Sequence, residues 1–272
     1  MPTSLKYKLA SQIPANLASG VYWLIRGKKV RAMNRFRTAL AGVVGLSIPK
    51  QNEYIANKIC MAQATLSDAE IAEIQQEIGG WTGAPKISVV MPVYNASAKD
   101  LRAALKSVQD QLYPNWELCI ADDCSTEPHV AKILSEMAGA DQRIKVAFRE
   151  QNGHICEASN SAMELASGEY IALMDHDDLL PKHALYYIAR EIVADPDLDL
   201  IYSDEDKIRS TGEHGGPHFK PDWNEELFLT QNYINHLGVY RTSLLREIGG
   251  FRKGFEGSQD HDLALRFIAC SD

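Results

Sequence analysis

From Lys86 to Tyr202, short apolar runs alternate with stretches in which hydrophobic residues recur every three or four positions. Ile87–Met91, Trp116–Ala121, Ile144–Phe148, Tyr170–Met174 and Asp199–Tyr202 have the length and side chains of buried strands. Between them, Ala98–Leu112, Glu127–Met137, Ile155–Ala166 and Lys182–Ala194 read as helices, and Leu101, Leu105 and Val108 share one face of the first. Such alternation predicts a parallel sheet with helices on both faces. Upstream, Ser67 and Glu70 form a capping box for a helix striped by Ala69, Ile71, Ile74 and Ile78 and stopped by Gly79 and Gly80. Trp81–Pro85 reads as a linker. After Asp206 the regularity thins to a loop over Thr211–Pro217, a proline-fixed aromatic element over His218–Trp223 and a short strand over Leu237–Tyr240. A turn at Gly249–Phe251, a loop over Gly254–Gly257 and a helix from Asp260 to Ala269 follow. There are no internal repeats.

In sheets of this kind ligands gather at the carboxyl ends of the strands. Four strand ends here are polar: Tyr94-Asn95, Asp122-Asp123, Asp175 to Asp178, and Ser203 to Asp206. The third is the most telling. Asp175, Asp177 and Asp178 repel one another unless a cation lies among them, and Mg²⁺ or Mn²⁺ takes oxygen ligands and bridges to substrate phosphates. The plainer alternative is a solvated acidic loop that caps the helix after Pro181.

Three familiar devices are missing. The turn after the first strand, Pro92-Val93-Tyr94-Asn95, has no glycine, so it is not the GxGxxG cradle of a dinucleotide. No GxxxxGK[ST] loop and no GxSxG elbow occur. A metal-dependent enzyme acting on a phosphorylated substrate is what remains.

Composition sets bounds on this picture. The 272 residues are 45% hydrophobic and 24% charged, ordinary for a globular chain of one large domain or one domain with an appendage. The five cysteines form no CxxC pair, which fits free thiols in a reducing, cytoplasmic setting rather than a zinc site or disulfide scaffold. The net charge of −8 is unevenly spread: residues 1–50 carry nine Lys and Arg and no acid, leaving −17 for the rest. An acidic body argues against nucleic acid as a partner. The basic arm also holds the apolar, aromatic stretch Leu17–Ile25 directly before Arg26–Arg31, a composition suited to peripheral contact with a membrane face. An ordinary helical extension is the alternative. No apolar run approaches the roughly 20 residues that span a bilayer.

Five motifs in order carry a resemblance: Val89-Val-Met-Pro-Val-Tyr-Asn95; Asp122-Asp-Cys-Ser125; Asn152-Gly-His with Asn160 and Gly168-Glu-Tyr-Ile; Asp175-His-Asp-Asp178; and Ser258-Gln-Asp-His-Asp-Leu263. Over about residues 85–272 the chain resembles the family 2 glycosyltransferases, inverting enzymes of the GT-A fold. That fold is α/β and Rossmann-like, with a mainly parallel central sheet, here preceded by a helical extension over 1–84. The resemblance implies that Pro92, Val93, Tyr94, Asp122, Asp123 and Asn152 hold the nucleotide end of a nucleotide-diphosphate sugar. It implies that Asp175 contacts ribose and that Asp175 and Asp177 bind Mn²⁺ or Mg²⁺ on the diphosphate. Asp260 is implied as the general base; at a helix start Asp260 and Asp262 could also simply cap, which is the plainer reading of Asp262. The acceptor would be a glycan or lipid-linked glycan in bacterial surface polysaccharide synthesis. The chemistry agrees: a carboxylate can take the proton of a sugar hydroxyl as the new bond forms, and a cation offsets charge on the departing diphosphate.

The chain departs from the family in two places. Gln259 stands where the family has Glu, and relatives continue beyond a point equivalent to Asp272, often with a His that helps bind metal or phosphate. Two other readings compete. A nucleotidyltransferase also uses strand-end carboxylates and a metal, but wants a basic, glycine-rich first turn. A catalytically inactive nucleotide-binding or interaction module would keep the fold without the chemistry.

Overall fold

In the computed structural model, residues 65–209 and 211–271 are described. The expectations for the basic arm, residues 1–50, lie outside these residues. The described residues fall into two compact units, one holding 208–209 and 211–216 and the other 65–207 with 217–271. In the first, the Gly212 N–H donates to the Arg209 carbonyl at 2.8 Å and closes a tight turn. The second carries the sheet and the candidate site.

Helix α1 (Asp68–Gly79) starts as its sequence predicts: the Ser67 side chain accepts from the Glu70 N–H, and the Glu70 carboxylate accepts from the Ser67 N–H at 2.8 Å. Strands β1 (Ile87–Val93), β2 (Trp116–Asp122), β3 (Ile144–Phe148) and β4 (Tyr170–Leu173) alternate with α2 (Ala98–Gln109), α3 (Pro128–Ala140), α4 (His154–Glu164) and α5 (Ala184–Ala194). Then come β5 (Leu200–Tyr202), β6 (Glu205–Ile208), β7 (His214–His218), α6 (Glu225–Phe228), β8 (Gly238–Arg241), α7 (Thr242–Glu247) and α8 (Gln259–Ile268). Strand β7 falls largely in the stretch expected as a loop; Gly and Pro weaken a strand without forbidding one. Helix α2 stops at Gln109, short of Leu112, and the Gln111 side chain there binds the Ser107 and Pro181 carbonyls instead.

The six-stranded sheet has the order β3-β2-β1-β4-β8-β5. Strands β1 to β4 pair in parallel, while β8 runs antiparallel to both β4 and β5. Alternate side chains divide the core into two layers, as the period of two requires. Val89, Met91, Leu118 and Ile120 pack with Leu101, Leu105, Leu134 and Leu185 on one face. Val90, Cys119 and Ala121 pack with Cys156, Ala162, Leu263 and Phe267 on the other. Ile74 of α1 joins the first layer, and the Trp81 ring stacks on Tyr186 at 5.7 Å. The result is an α/β fold with a mainly parallel central sheet flanked by helices, as the sequence pattern predicts.

The sheet rim away from the polar strand ends holds a buried carboxylate. Glu117 lies 2.6 Å from Lys86 Nζ and 2.8 Å from Lys145 Nζ, and it accepts from the Ser88 hydroxyl at 2.7 Å. Beside it, Gly168 passes so close to β1 that a Cβ would stand 2.5 Å from the Lys86 carbonyl oxygen.

Candidate active site

The carboxyl ends of β1, β2 and β4 share one rim, because these strands are parallel. Since β8 is reversed, its beginning lies at that rim too, with Gly238 opposite Leu173. The residues leading into β8, Asn235 and His236, are thereby brought beside the end of β4. A cleft at this point is lined by Pro92, Ser159, Asp175, Asn235, His236 and Asp260, among others.

The first two strand ends form a wall beside this cleft; Pro92 lines it, whereas Val93, Tyr94, Asp122, Asp123 and Asn152 do not. Val93 is buried, its carbonyl accepting from the Asp123 N–H at 2.8 Å, whereas Tyr94 is 46% exposed. Asp122 and Asp123 are both buried. Asp122 accepts from the Ser125 hydroxyl at 2.5 Å. Asp123 accepts from the Gly153 N–H at 2.9 Å and pairs with Arg149 Nε at 2.8 Å. The Asn152 amide donates to the Asp123 carbonyl at 3.2 Å. Arg149 continues to Glu157 at 2.8 Å, and Glu157 to Lys253 at 2.8 Å, so the wall is braced by alternating charges. Three non-glycine residues, Asn95, Cys124 and His154, hold φ of 48°, 61° and 62° at this rim. Left-handed backbone costs roughly 1 kcal/mol or more for such residues and clusters where a site demands a particular shape.

On the other side the acidic loop gives Asp175 to the lining of the cleft. Asp175, Asp178 and His236 present one ligand atom each, all within 4.8 Å of one another. His236 Nδ1 is 3.5 Å from Asp178 Oδ2. Burial raises the Asp178 carboxyl above its ordinary range; His236 opposes this, while Asp175, Asp177 and Glu205 add to it. Two carboxylate oxygens and an imidazole nitrogen are a donor set that Mn²⁺ accepts, with positions left for diphosphate oxygens or water. The residues present therefore fit a divalent cation. Asp177 is exposed and stands outside this group.

Asp260 sits in the first turn of α8, whose start is fixed by Gln259: the Gly257 N–H donates to the Gln259 side-chain oxygen at 2.6 Å, and Gln259 Nε2 donates to Asp260 Oδ2 at 3.2 Å. The glutamine thus supplies a donor to its neighbour, which a glutamate in that place could not. Burial, then the charge of Asp175, raise the Asp260 carboxyl above its ordinary range, against the opposing effects of His236 and Gln259. Asp262 turns the other way and pairs with Arg252 and with Arg266, the latter at 3.0 Å. The turn before α8 is tied down by Asn160, whose side chain donates to the Phe251 carbonyl and accepts from the Phe251 N–H, both at 2.8 Å.

The fourth polar strand end has a different part. The Ser203 hydroxyl accepts from the Leu237 N–H at 3.0 Å, and Glu205 accepts from the His236 N–H at 2.7 Å. His218 is bound to Glu205 at 3.1 Å. Nothing in the sequence pattern singles out His236, Arg149 or Lys220; only the reversed direction of β8 makes the first of them a rim residue.

Residues 88–249 match the model of the Glycosyl transferase family 2. The chain is 36% identical over 245 residues to the O-antigen biosynthesis protein RfbC of Myxococcus xanthus, which covers 88% of this chain and 19% of that protein. Among solved structures it is similar to S. aureus TarS 1-349 in complex with UDP-GlcNAc, with TM-score 0.54, 24% identity and coverage of 66% of this chain and 52% of that one. It is also similar to the mannosyltransferase PcManGT from Pyrobaculum calidifontis in complex with GDP-Man and Mn²⁺, with TM-score 0.55, 17% identity and coverage of 80% and 61%. The chain spans about a fifth of the length of RfbC and of several other curated relatives it matches. It belongs to glycosyl transferase family 2.

Proposed function

We propose that the chain transfers a sugar from a nucleotide-diphosphate donor, a UDP-sugar, to a hydroxyl of a glycan acceptor with inversion at the anomeric carbon. The observation that carries this reading is the meeting of Asp260 with Asp175 at one cleft, beside the group formed by Asp175, Asp178 and His236. Pro92, Val93, Tyr94 and Asn152, with the braced pair Asp122 and Asp123, are assigned to the base and ribose of the donor. Asp175, Asp178 and His236 would hold Mn²⁺ or Mg²⁺, which when bound would offset the charge gathering on the leaving diphosphate. Asp177 lies in the same loop and is assigned to the outer side of the donor. Asp260 accepts the proton of the acceptor hydroxyl as its oxygen bonds to the anomeric carbon. The bond from that carbon to the diphosphate oxygen breaks, and its electron pair leaves with the nucleoside diphosphate. A single displacement of this kind inverts the centre. The Gln259 donor keeps Asp260 oriented for it.

The kinship with an O-antigen biosynthesis protein supports an acceptor among surface polysaccharides; a lipid carrier at the cytoplasmic membrane face is part of the proposal. The division into an extension over 1–84 and a catalytic domain over 85–272 belongs to this proposal, as does membrane contact through 1–50. No helix of the described residues is long and apolar enough to cross a membrane. Removing residues 1–50 should release the protein from anionic vesicles; unchanged binding would sink the membrane assignment.

The central test is a panel of nucleotide sugars incubated with the protein and Mn²⁺. Release of UDP, abolished in Asp260→Asn, supports transfer. Release of pyrophosphate identifies a nucleotidyltransferase, and no turnover with any donor a non-catalytic module.

A further inference from the structure

His236 is not held by the regular hydrogen bonds of the sheet, since β8 begins only at Gly238. The polar backbone groups around it are taken instead by side chains. Its N–H goes to Glu205 Oε2 at 2.7 Å. Its carbonyl accepts from Lys220 Nζ at 3.2 Å and from the Ser203 hydroxyl at 3.3 Å. The carbonyl of Asn235 accepts from Lys220 Nζ as well. Lys220 thus grips the peptide groups on both sides of the His236 Cα.

Lys220 is an odd residue to find in this role. It lies in a short segment whose neighbours Phe219, Pro221 and Asp222 are exposed, yet its own side chain is 1% exposed. An ammonium is seldom taken out of water unless it is paired and hydrogen-bonded. Here Glu205 Oε2 stands 3.8 Å away, and the Lys220 N–H is itself fixed to Asp204 Oδ1 at 2.7 Å. Glu205 and Lys220 therefore converge from two segments on one short piece of backbone, the one that carries a side chain to Asp175 and Asp178.

We propose that Lys220 and Glu205 are positioning residues that clamp the Asn235–Leu237 backbone, so that the His236 imidazole stands in register with Asp175 and Asp178 for one divalent cation. The proposal rests on the metal assignment in the preceding section. Neither residue touches substrate in it; both act through His236. Partners that orient a metal ligand typically change metal affinity 10- to 100-fold when lost.

The test is Mn²⁺ binding by the full chain in the presence of UDP, followed by loss of the electron paramagnetic resonance signal of free Mn²⁺. His236→Ala sets the scale. Lys220→Met keeps the bulk of the stem without the charge and should weaken Mn²⁺ binding at least 10-fold. The double variant Lys220→Met/His236→Ala should bind no more weakly than His236→Ala alone, because the clamp has nothing left to position. A merely structural lysine gives the opposite result: a folded Lys220→Met with wild-type affinity, or losses that multiply in the double variant, overturns the proposal. If Lys220→Met does not fold, Glu205→Ala takes its place with the same two criteria. Should the wild-type chain itself fail to take up Mn²⁺ with UDP, the metal assignment falls. Should it bind and the clamp variants bind equally, only the clamp falls.

Discussion

Asp175 leaves the sheet at the end of β4, Asp260 opens α8, and the two carboxylates meet at one cleft. Burial and then the charge of Asp175 raise the Asp260 carboxyl above its ordinary range. A carboxylate made reluctant to stay ionised is a stronger acceptor for a proton. The closeness that suits Asp260 to base catalysis also strains it when the cleft holds no cation.

Asp260→Asn removes the base and keeps the shape and the contact with Gln259. Transfer should fall by about 10²- to 10⁴-fold, the usual worth of a positioned base, while affinity for UDP stays near that of the unaltered protein. Steady-state kinetics beside calorimetric UDP binding checks both halves. A variant that loses UDP binding in proportion to activity would show Asp260 to be a donor ligand instead.

The acidic loop contains two candidates for the second metal carboxylate, and the geometry favours Asp178. Asp178→Ala should weaken Mn²⁺ binding by 10-fold or more, and Asp177→Ala by clearly less. Titration of both variants with Mn²⁺ in the presence of UDP decides the matter. The reverse order would mean that the loop rearranges when the donor binds.

Glu117 predicts an acid-sensitive fold. Burial pushes its carboxyl up, but hydrogen bonds from Lys145 and Lys86, with those from Ser167 and Ser88, outweigh that and hold it well below the usual range. A carboxyl depressed in the folded state stabilises above its unfolded value, near 4.5, and loses that contribution as pH falls below it. Glu117→Gln should therefore cost stability at pH 7 and flatten the decline between pH 5 and pH 3. Both lysines are about a third exposed, so the cost at pH 7 is set at about 2 kcal/mol, less than for a fully buried pair. Urea unfolding at pH 7 and pH 3.5 reads it.

Gly168→Ala tests close approach of backbone. The added methyl would meet the Lys86 carbonyl at 2.5 Å and the Ser88 N–H at 2.9 Å, neither of them a flexible side-chain end. Overpacking of this sort costs about 1–3 kcal/mol, or roughly 2–12 °C in Tm for a chain of this size. A thermal scan within a degree of the parent would mean that the two strands part easily there.

Much of this molecule was legible in its sequence because the signals were local. The strand-helix alternation, the capping box at Ser67 and Glu70 and the placing of Asp122 and Asp175 at one rim follow from short-range pattern and the rule for parallel sheets, whereas Asp260, on a helix, was marked only by the family resemblance. What was not legible depended on direction and distance. Leu237–Tyr240 reads as a strand, but four residues do not say which way it runs, and His236 joins the rim only because β8 is antiparallel. Lys220 lies among exposed residues, and its inward turn is dictated by the Asn235 and His236 carbonyls, which no periodicity announces. Ser203 to Asp206 marks the right rim, yet Ser203 and Glu205 support the backbone around His236.

The reversal of β8 leaves the domain with an asymmetric tolerance for change. The connection that enters β8 arrives at the cleft, and the one that leaves it, through Thr242, departs at the opposite rim beside Gly168 and Glu169. Changes around Asn235 and His236 would reshape what the cleft admits, whereas Phe228 and Tyr233, earlier in the same connection, are buried in the core. Changes just after Arg241 would disturb the scaffold and leave the cleft untouched. One end of a single strand thus serves the cleft while its other end serves the scaffold.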